Sequence, residues 1–209
     1  MAPSDTPPAS AAPAVASGIV VIGRNEGERL VACLQSLRGT GRPVVYVDSG
    51  SSDGSVERAL ALCDHVHPLD PARPFSAARA RNEGAALIAA RYPARRHVQF
   101  LDGDCLLQPG WLEAAEAALE ADAKLAVVIG HLQEQHPEAS VYNRLCALEW
   151  ASTPGVIDNF GALGGIMMVR RAVFEQLGGF RPEVIAGEDS EFGVRVGTAG
   201  FQVRKLDVP

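Results

Sequence analysis

His97-Val98-Gln99-Phe100-Leu101-Asp102-Gly103-Asp104-Cys105 carries residues of β preference straight into two carboxylates separated by a single glycine. A helix-like segment begins just beyond, at Pro109. The pattern reads as a buried strand whose end presents an acidic pair. Oxygen ligands of this kind suit Mg²⁺ or Mn²⁺, which proteins usually hold with one or two carboxylates plus substrate phosphates. The pair therefore points toward a phosphorylated substrate. Taken alone it reads more readily as an acidic turn, because Asp and Gly are ordinary turn formers.

Upstream, Gly18-Ile19-Val20-Val21-Ile22-Gly23 is a short apolar run rich in β-branched residues, suited to a strand buried on both faces of a parallel sheet. Arg24-Asn25-Glu26 follow, and Leu30, Val31, Leu34 and Leu37 recur at helical spacing until Gly39 and Gly41. A second strand, Val44-Val45-Tyr46-Val47, delivers Asp48-Ser49-Gly50-Ser51-Ser52-Asp53-Gly54-Ser55. Small residues there let a ligand approach the backbone, and Asp48 could accept hydrogen bonds from a base or ribose. A polar loop capping a helix over 56–62 is the plainer reading of that loop by itself. Residues 65–69 read as an edge strand limited by Pro68, with His65 and His67 exposed rather than holding metal. Residues 76–91 form a helix carrying Arg79, Arg81 and Asn82. Its arginines either lie in solvent or serve the strand-end carboxylates or a diphosphate.

Downstream, a helix over 109–121 and a strand over 124–131 complete an alternation of strands and helices. That order predicts an α/β domain with a mostly parallel sheet, and ligands at the carboxyl ends of its strands. Residues 139–151 are expected to be helical, 152–165 a Gly-rich loop, 166–169 a strand and 171–177 a helix stopped by Gly178-Gly179. In Gly187-Glu188-Asp189-Ser190-Glu191 the two acids open a helix through 199, where carboxylates suit the positive end of the helix dipole. A carboxylate at such a position, facing a cleft, is also a candidate general base. A last strand spans 201–206.

Composition narrows the classes. The 209 residues suffice for one domain, and 47% hydrophobic content marks a globular chain. With 19 basic against 25 acidic residues and a net charge of −6, no basic footprint for nucleic acid exists. No apolar run reaches the roughly 18 to 20 residues of a membrane span, and no secretory signal is expected at the N-terminus, which lacks a basic start followed by an apolar core. Residues 1–17, mostly Ala, Pro and Ser, are expected to be disordered, leaving 18–209 as the single domain. Cys33, Cys63, Cys105 and Cys146 lie far apart and predict reduced thiols, as in a cytoplasmic protein, with Cys33 and Cys146 packed in helices. No Gly-x-Gly-x-x-Gly or Walker-type loop follows the first strand, which weakens dehydrogenase and nucleotide-hydrolase readings.

The ordered set resembles a family 2 glycosyltransferase of the inverting kind, with the GT-A, Rossmann-like nucleotide-binding fold. It consists of 22–26, 47–55, Ala80-Arg81-Asn82-Glu83-Gly84, Leu101-Asp102-Gly103-Asp104, Gly164-Gly165 through Arg170-Arg171, 177–180 and 187–191. Each piece is weak and the series is strong. The resemblance implies transfer of a sugar, with a UDP-linked donor as the commonest family choice, to an acceptor hydroxyl on a saccharide, a lipid-linked carrier or a small molecule. It implies that Asp48 contacts the base, with Ser49 beside it and Ile22, Arg24, Asn25 and Glu26 flooring the pocket. Arg81 and Asn82 would hold the nucleotide side. Asp102 and Gly103 would meet the ribose or donor sugar, and Asp104, with Asp102, would ligate Mn²⁺ or Mg²⁺. Asp189 would be the base, Glu188 its support or a contact to the acceptor, and the loop from Gly161 through Gly164 and Gly165 the acceptor wall. The family commonly adds a His ligand after the last strand and an amphipathic tail. The resemblance therefore predicts a C-terminal extension that could bring the protein to the inner face of a membrane. A nucleotidyltransferase, and a sugar-nucleotide-binding domain or fragment without catalysis, are the competing readings.

Overall fold

A computed structural model describes residues 15–158, 163 and 165–208 of the chain. Its strands are β1 (Ser17–Gly23), β2 (Val44–Asp48), β3 (His65–Pro68), β4 (His97–Asp102), β5 (Leu125–Ile129), β6 (Gly155–Val156), β7 (Met167–Arg170) and β8 (Gln202–Lys205). Helices α1 (Glu28–Ser36), α2 (Ser55–Ala59), α3 (Ala77–Arg91), α4 (Trp111–Ala121), α5 (Val141–Glu149), α6 (Arg171–Gln176) and α7 (Glu188–Thr198) connect them. The strands form one sheet in the order β3-β2-β1-β4-β7-β5-β8-β6.

Alternating side chains divide the core between the two faces of this sheet. Val20, Val47, Phe100 and Val203 pack on one side with Ile88 of α3, Phe174 of α6 and Phe192 of α7. Ile19, Val21, Tyr46 and Val128 pack on the other with Leu30 and Leu34 of α1 and Trp111 and Leu119 of α4. Helix α3 lies unusually close to β1, since a Cβ on Gly84 would come within 2.3 Å of Val20 Cγ1. Four aromatic rings, Phe100, Phe174, Phe180 and Phe192, meet edge-on or tilted with centroids 5.1 to 5.4 Å apart. They tie β4 and α7 together two and three residues from Asp102 and Asp189 respectively.

Six strands run in one direction, as the alternation predicts, and β7 and β6 run against them. Strand β7 enters antiparallel between β4 and β5, with Phe100 opposite Met167 and Val127 opposite Val169. An apolar run buried on both faces has the same sequence signature in either direction, so spacing could not reveal this reversal. The short β6 lies within the expected loop over 152–165 and pairs with β8. Ser17 belongs to β1, and the Ala16 carbonyl accepts from the Arg96 and His97 amides. Strand pairing thus includes residues that the composition placed outside the domain, because backbone pairing requires no particular side chain. Cys33 is buried as expected, whereas α5 buries no residue and Cys146 stays partly exposed.

Parallel register brings the ends of three strands together. Ile22 of β1 lies opposite Asp102 of β4, and Gly23 opposite Asp48 of β2. Since β2 and β4 flank β1, the connections leave in opposite directions there, opening the crevice typical of a switch point in an α/β sheet.

Candidate active site

A cleft of about 440 Å³ occupies that crevice, lined by Ile22, Gly23 and Glu26 after β1, by Asp102, Gly103 and Asp104 after β4, and by Glu188 and Asp189 at the start of α7. Ser49, Ala77, Arg81 and Gly165 close it. Five carboxylates therefore face one guanidinium. Arg81 is 3% exposed and spans the site: Nη2 donates to Asp102 Oδ1 at 2.7 Å, and Nη1 pairs with Glu188 Oε1. Of the two readings open for this arginine, it serves the carboxylates rather than lying in solvent. Arg79, expected in the same way, is also buried, where it pairs with Glu83 and holds the carbonyls of Asp70, Arg73 and Pro74.

Withdrawal from water pushes the Asp102 carboxyl above its ordinary value. Arg81 pulls it down, while Asp104 and Asp189 add to the rise. Glu26 is raised for the same first reason, with Arg29 opposing it and Asp104 again adding. The crowding of acids is thus only partly offset by the chain's own cations. Gly103 closes the turn after β4 by donating its N–H to the Ile22 carbonyl at 2.8 Å. Gly165 lies directly on the acidic group: a Cβ there would be 1.8 Å from Asp102 Oδ2 and 2.8 Å from Arg81 Nη2. Gly161 and Gly164 lie outside the described residues.

Helix α7 begins at Gly187, whose positive φ of 79° suits glycine. Its first turn holds Glu188 and Asp189 at the positive end of the dipole. Glu188 is buried and committed to Arg81. Asp189 remains accessible, and its Oδ2 accepts from the Leu163 amide at 3.1 Å.

Other expected residues stand behind the cleft. Asp48 is 2% exposed, and its carboxylate accepts from the Tyr46 hydroxyl, the Gly50 and Ser51 amides and the Ser51 hydroxyl. Those bonds engage both carboxylate oxygens with its own strand and loop, next to Ser49 at the cleft. Asn25, in the left-handed region at φ 58°, accepts from the Ser52 amide through Oδ1 and joins the β1 and β2 loops. Arg24 is exposed over the Phe75 ring. Asn82 is spent on the backbone of Phe180. Tyr46, Ser51, Phe75 and Ala77 were not singled out from sequence. Of these, only the Ser51 loop carried a recognisable signal, through its density of hydroxyls.

Among the described residues no three or more His, Cys, Asp or Glu converge as a self-contained metal site. His67 instead bonds Glu83 at 2.8 Å. Asp102 and Asp104 nonetheless suit a hard divalent cation, because one or two carboxylates completed by substrate phosphates is a common arrangement for Mg²⁺. A cleft this acidic also needs added positive charge before it can accept a diphosphate.

The model of the family described as Glycosyl transferase family 2 matches residues 18–178. The chain belongs to that family. This glycosyltransferase domain is 25% identical over 194 residues to glycosyltransferase AglE of Haloferax volcanii, covering 86% of this chain and 60% of AglE. Its fold matches that of S. aureus TarS 1–349 in complex with UDP at a TM-score of 0.70 and 17% identity, over 91% of this chain and 57% of that one. It matches a mannosyltransferase from Pyrobaculum calidifontis, in complex with GDP-Man and Mn²⁺, at 0.63 and 19% identity, over 93% and 57% of the two chains. These neighbours are GT-A glycosyltransferases, so the fold is GT-A. The chain spans about 60% of the length of AglE and 57% of each of those two structures. No helix among the described residues is long and apolar enough to cross a membrane.

Proposed function

We propose that this glycosyltransferase domain moves a sugar from a nucleoside diphosphate donor, UDP-linked in the first instance, to an acceptor hydroxyl with inversion. The observation that carries the reading is the division of labour in the acidic cleft. Glu188 and one oxygen of Asp102 are tied to buried Arg81, whereas Asp104 after β4 and Asp189 at the start of α7 are left accessible. A single displacement needs that separation, with a group for the diphosphate on one side and a base for the hydroxyl on the other.

In this reading the nucleotide lies along Ile22, Gly23 and Ser49, whose loop Asp48 braces. Asp102 and Asp104 would hold a divalent cation, Mn²⁺ or Mg²⁺. When bound, that ion neutralises charge growing on the departing diphosphate. Asp189 takes the proton from the acceptor hydroxyl as the acceptor oxygen forms its bond to the anomeric carbon. The bond from that carbon to the diphosphate breaks on the opposite face, and the electron pair leaves with the phosphate oxygen. Gly165 lets its loop pack directly on Asp102 and Arg81 at the acceptor side of the cleft. The acceptor is a hydroxyl-bearing saccharide, lipid-linked carrier or small molecule.

Calorimetric titration with UDP, GDP and dTDP, each with and without Mn²⁺, tests the donor half. Metal-dependent binding of one nucleotide is expected. Incubating the matching sugar nucleotide with acceptor mixtures and reading released diphosphate tests the transfer half. Binding without transfer would reduce the chain to a sugar-nucleotide-binding domain, and binding of none would remove the donor site.

A further inference from the structure

The arrangement around Arg81 goes further than a contact with substrate. The side chain is 3% exposed, enters from α3, and pairs at one nitrogen with the donor-side Asp102 and at the other with Glu188. Those acids belong to elements far apart in sequence, β4 and α7. Phe180 lies under the guanidinium, with Cζ 5.9 Å from the ring centroid. Gly165 packs against Nη2. Only Nε is left without a partner among the described residues. A planar fork held on all sides in this way has both arms committed before any ligand arrives.

We infer that Arg81 is a positioning residue, which fixes the start of α7 against the end of β4 so that Asp189 faces the acceptor, and that it does not itself grip the nucleotide. This rests on the functional reading above and assigns the arginine within it. Three consequences of the geometry support it. Glu188 is buried and engaged by the guanidinium, which leaves its neighbour Asp189 as the accessible carboxylate. Asp102 is held by Oδ1, with Oδ2 turned toward Gly165. The aromatic cluster of Phe100, Phe180 and Phe192 fixes the same two elements from below, so Arg81 is the polar member of one brace. Lysine cannot reproduce this bridge, because a single ammonium lacks the fork that meets two carboxylates at once.

The test uses Arg81→Lys and Glu188→Gln in the full chain, with wild type as the control for binding and transfer. Because the lysine ammonium can keep the charge beside Asp102 while losing the second arm to Glu188, metal-dependent nucleotide affinity should stay within about threefold of wild type in both variants, while kcat falls about a hundredfold in Arg81→Lys, the scale expected when a reacting group is displaced by about 1 Å. KM for the donor should follow the affinity and remain near wild type. Glu188→Gln, which keeps the shape and releases one arm, should show the same split at smaller amplitude. Hydrogen exchange of the Glu191 amide, which bonds the Gly187 carbonyl at the start of α7, should quicken in both, a readout that needs no turnover. Loss of nucleotide affinity by tenfold or more in Arg81→Lys, with Glu188→Gln unaffected, would overturn the inference and make Arg81 a donor contact. If Arg81→Lys fails to fold, Glu188→Gln decides: unchanged kcat and unchanged exchange overturn the inference. Absence of transfer in wild type would instead count against the functional reading.

Discussion

Asn82 holds the backbone of Phe180 with both ends of its amide: Nδ2 donates to the Phe180 carbonyl at 2.7 Å and Oδ1 accepts from the Phe180 amide at 2.9 Å. The pair ties α3 to the turn that precedes α7, and a Cβ on Gly179 would strike Asn82 Oδ1 at 2.6 Å. Truncation leaves two backbone groups without their partner. Asn82→Ala should therefore cost about 2 kcal/mol of stability in urea unfolding. Metal-dependent nucleotide affinity should be unchanged at temperatures where the variant is folded, and a selective loss of affinity would show that Asn82 touches the donor.

Asp189→Asn removes the proton acceptor and preserves the shape of the first turn of α7. Transfer should fall by about 10² to 10⁴, the usual contribution of a general base. Nucleotide binding followed by calorimetry should be nearly intact. Parallel loss of both would place the residue on the donor side.

Asp104→Ala leaves Arg81, Asp102 and Glu188 in place. Nucleotide affinity in Mn²⁺ should weaken by roughly tenfold or more, about 1.4 kcal/mol. With chelator present, the variant and wild type should bind alike. An equal difference with and without metal would remove Asp104 from any ligand role.

Gly165→Ala places a methyl where Asp102 Oδ2 already is, at 1.8 Å. Relief requires Asp102 to turn on its bond to Arg81 or the loop to retreat, at about 1 to 3 kcal/mol. Both stability in urea and metal-dependent nucleotide affinity should drop. Wild-type values for both would show that the loop swings clear of Asp102.

His97 is fully buried at the start of β4 with Nε2 2.7 Å from Glu120, and burial lowers its pKa below the ordinary 6.5 despite the neighbouring carboxylate. The unfolded chain protonates this ring at a higher pH than the folded one does. Its contribution is therefore intact above about pH 6.5 and is lost as pH falls from there toward the folded value. Stability measured at about pH 7.5 and about pH 5.5 should fall in wild type, and by less in His97→Gln. An equal fall in both would acquit the histidine.

Much of this was legible in the chain itself. Ile19 to Ile22 and Val44 to Val47 declare buried strands by β-branching, and the carboxylates that follow fall at strand ends because polar residues cannot continue into such a core. Asp102-Gly103-Asp104 and Glu188-Asp189 could be read as candidates from residue type and place alone. Their connection could not, since Arg81 and Glu188 are 107 positions apart and no local pattern joins them. Asp48 shows the converse limit: its type and strand-end position suit a base contact, yet Tyr46, two residues back on the same face, takes one of its oxygens. Partners that compete for a side chain are set by packing, which periodicity does not encode.

The reversed strand β7 divides the molecule in a way that bears on how donor preference could change. Everything expected to meet the nucleotide, from Ile22 to Asp104, lies in one uninterrupted stretch on strands β1, β2 and β4. The residues expected to meet the acceptor come later in the chain, Gly165 just before β7 and Glu188 and Asp189 well after it. A recombination boundary placed after Asp104 would exchange one specificity as a cassette and leave the other with its host, with the Arg81–Glu188 pair as the principal joint to be matched.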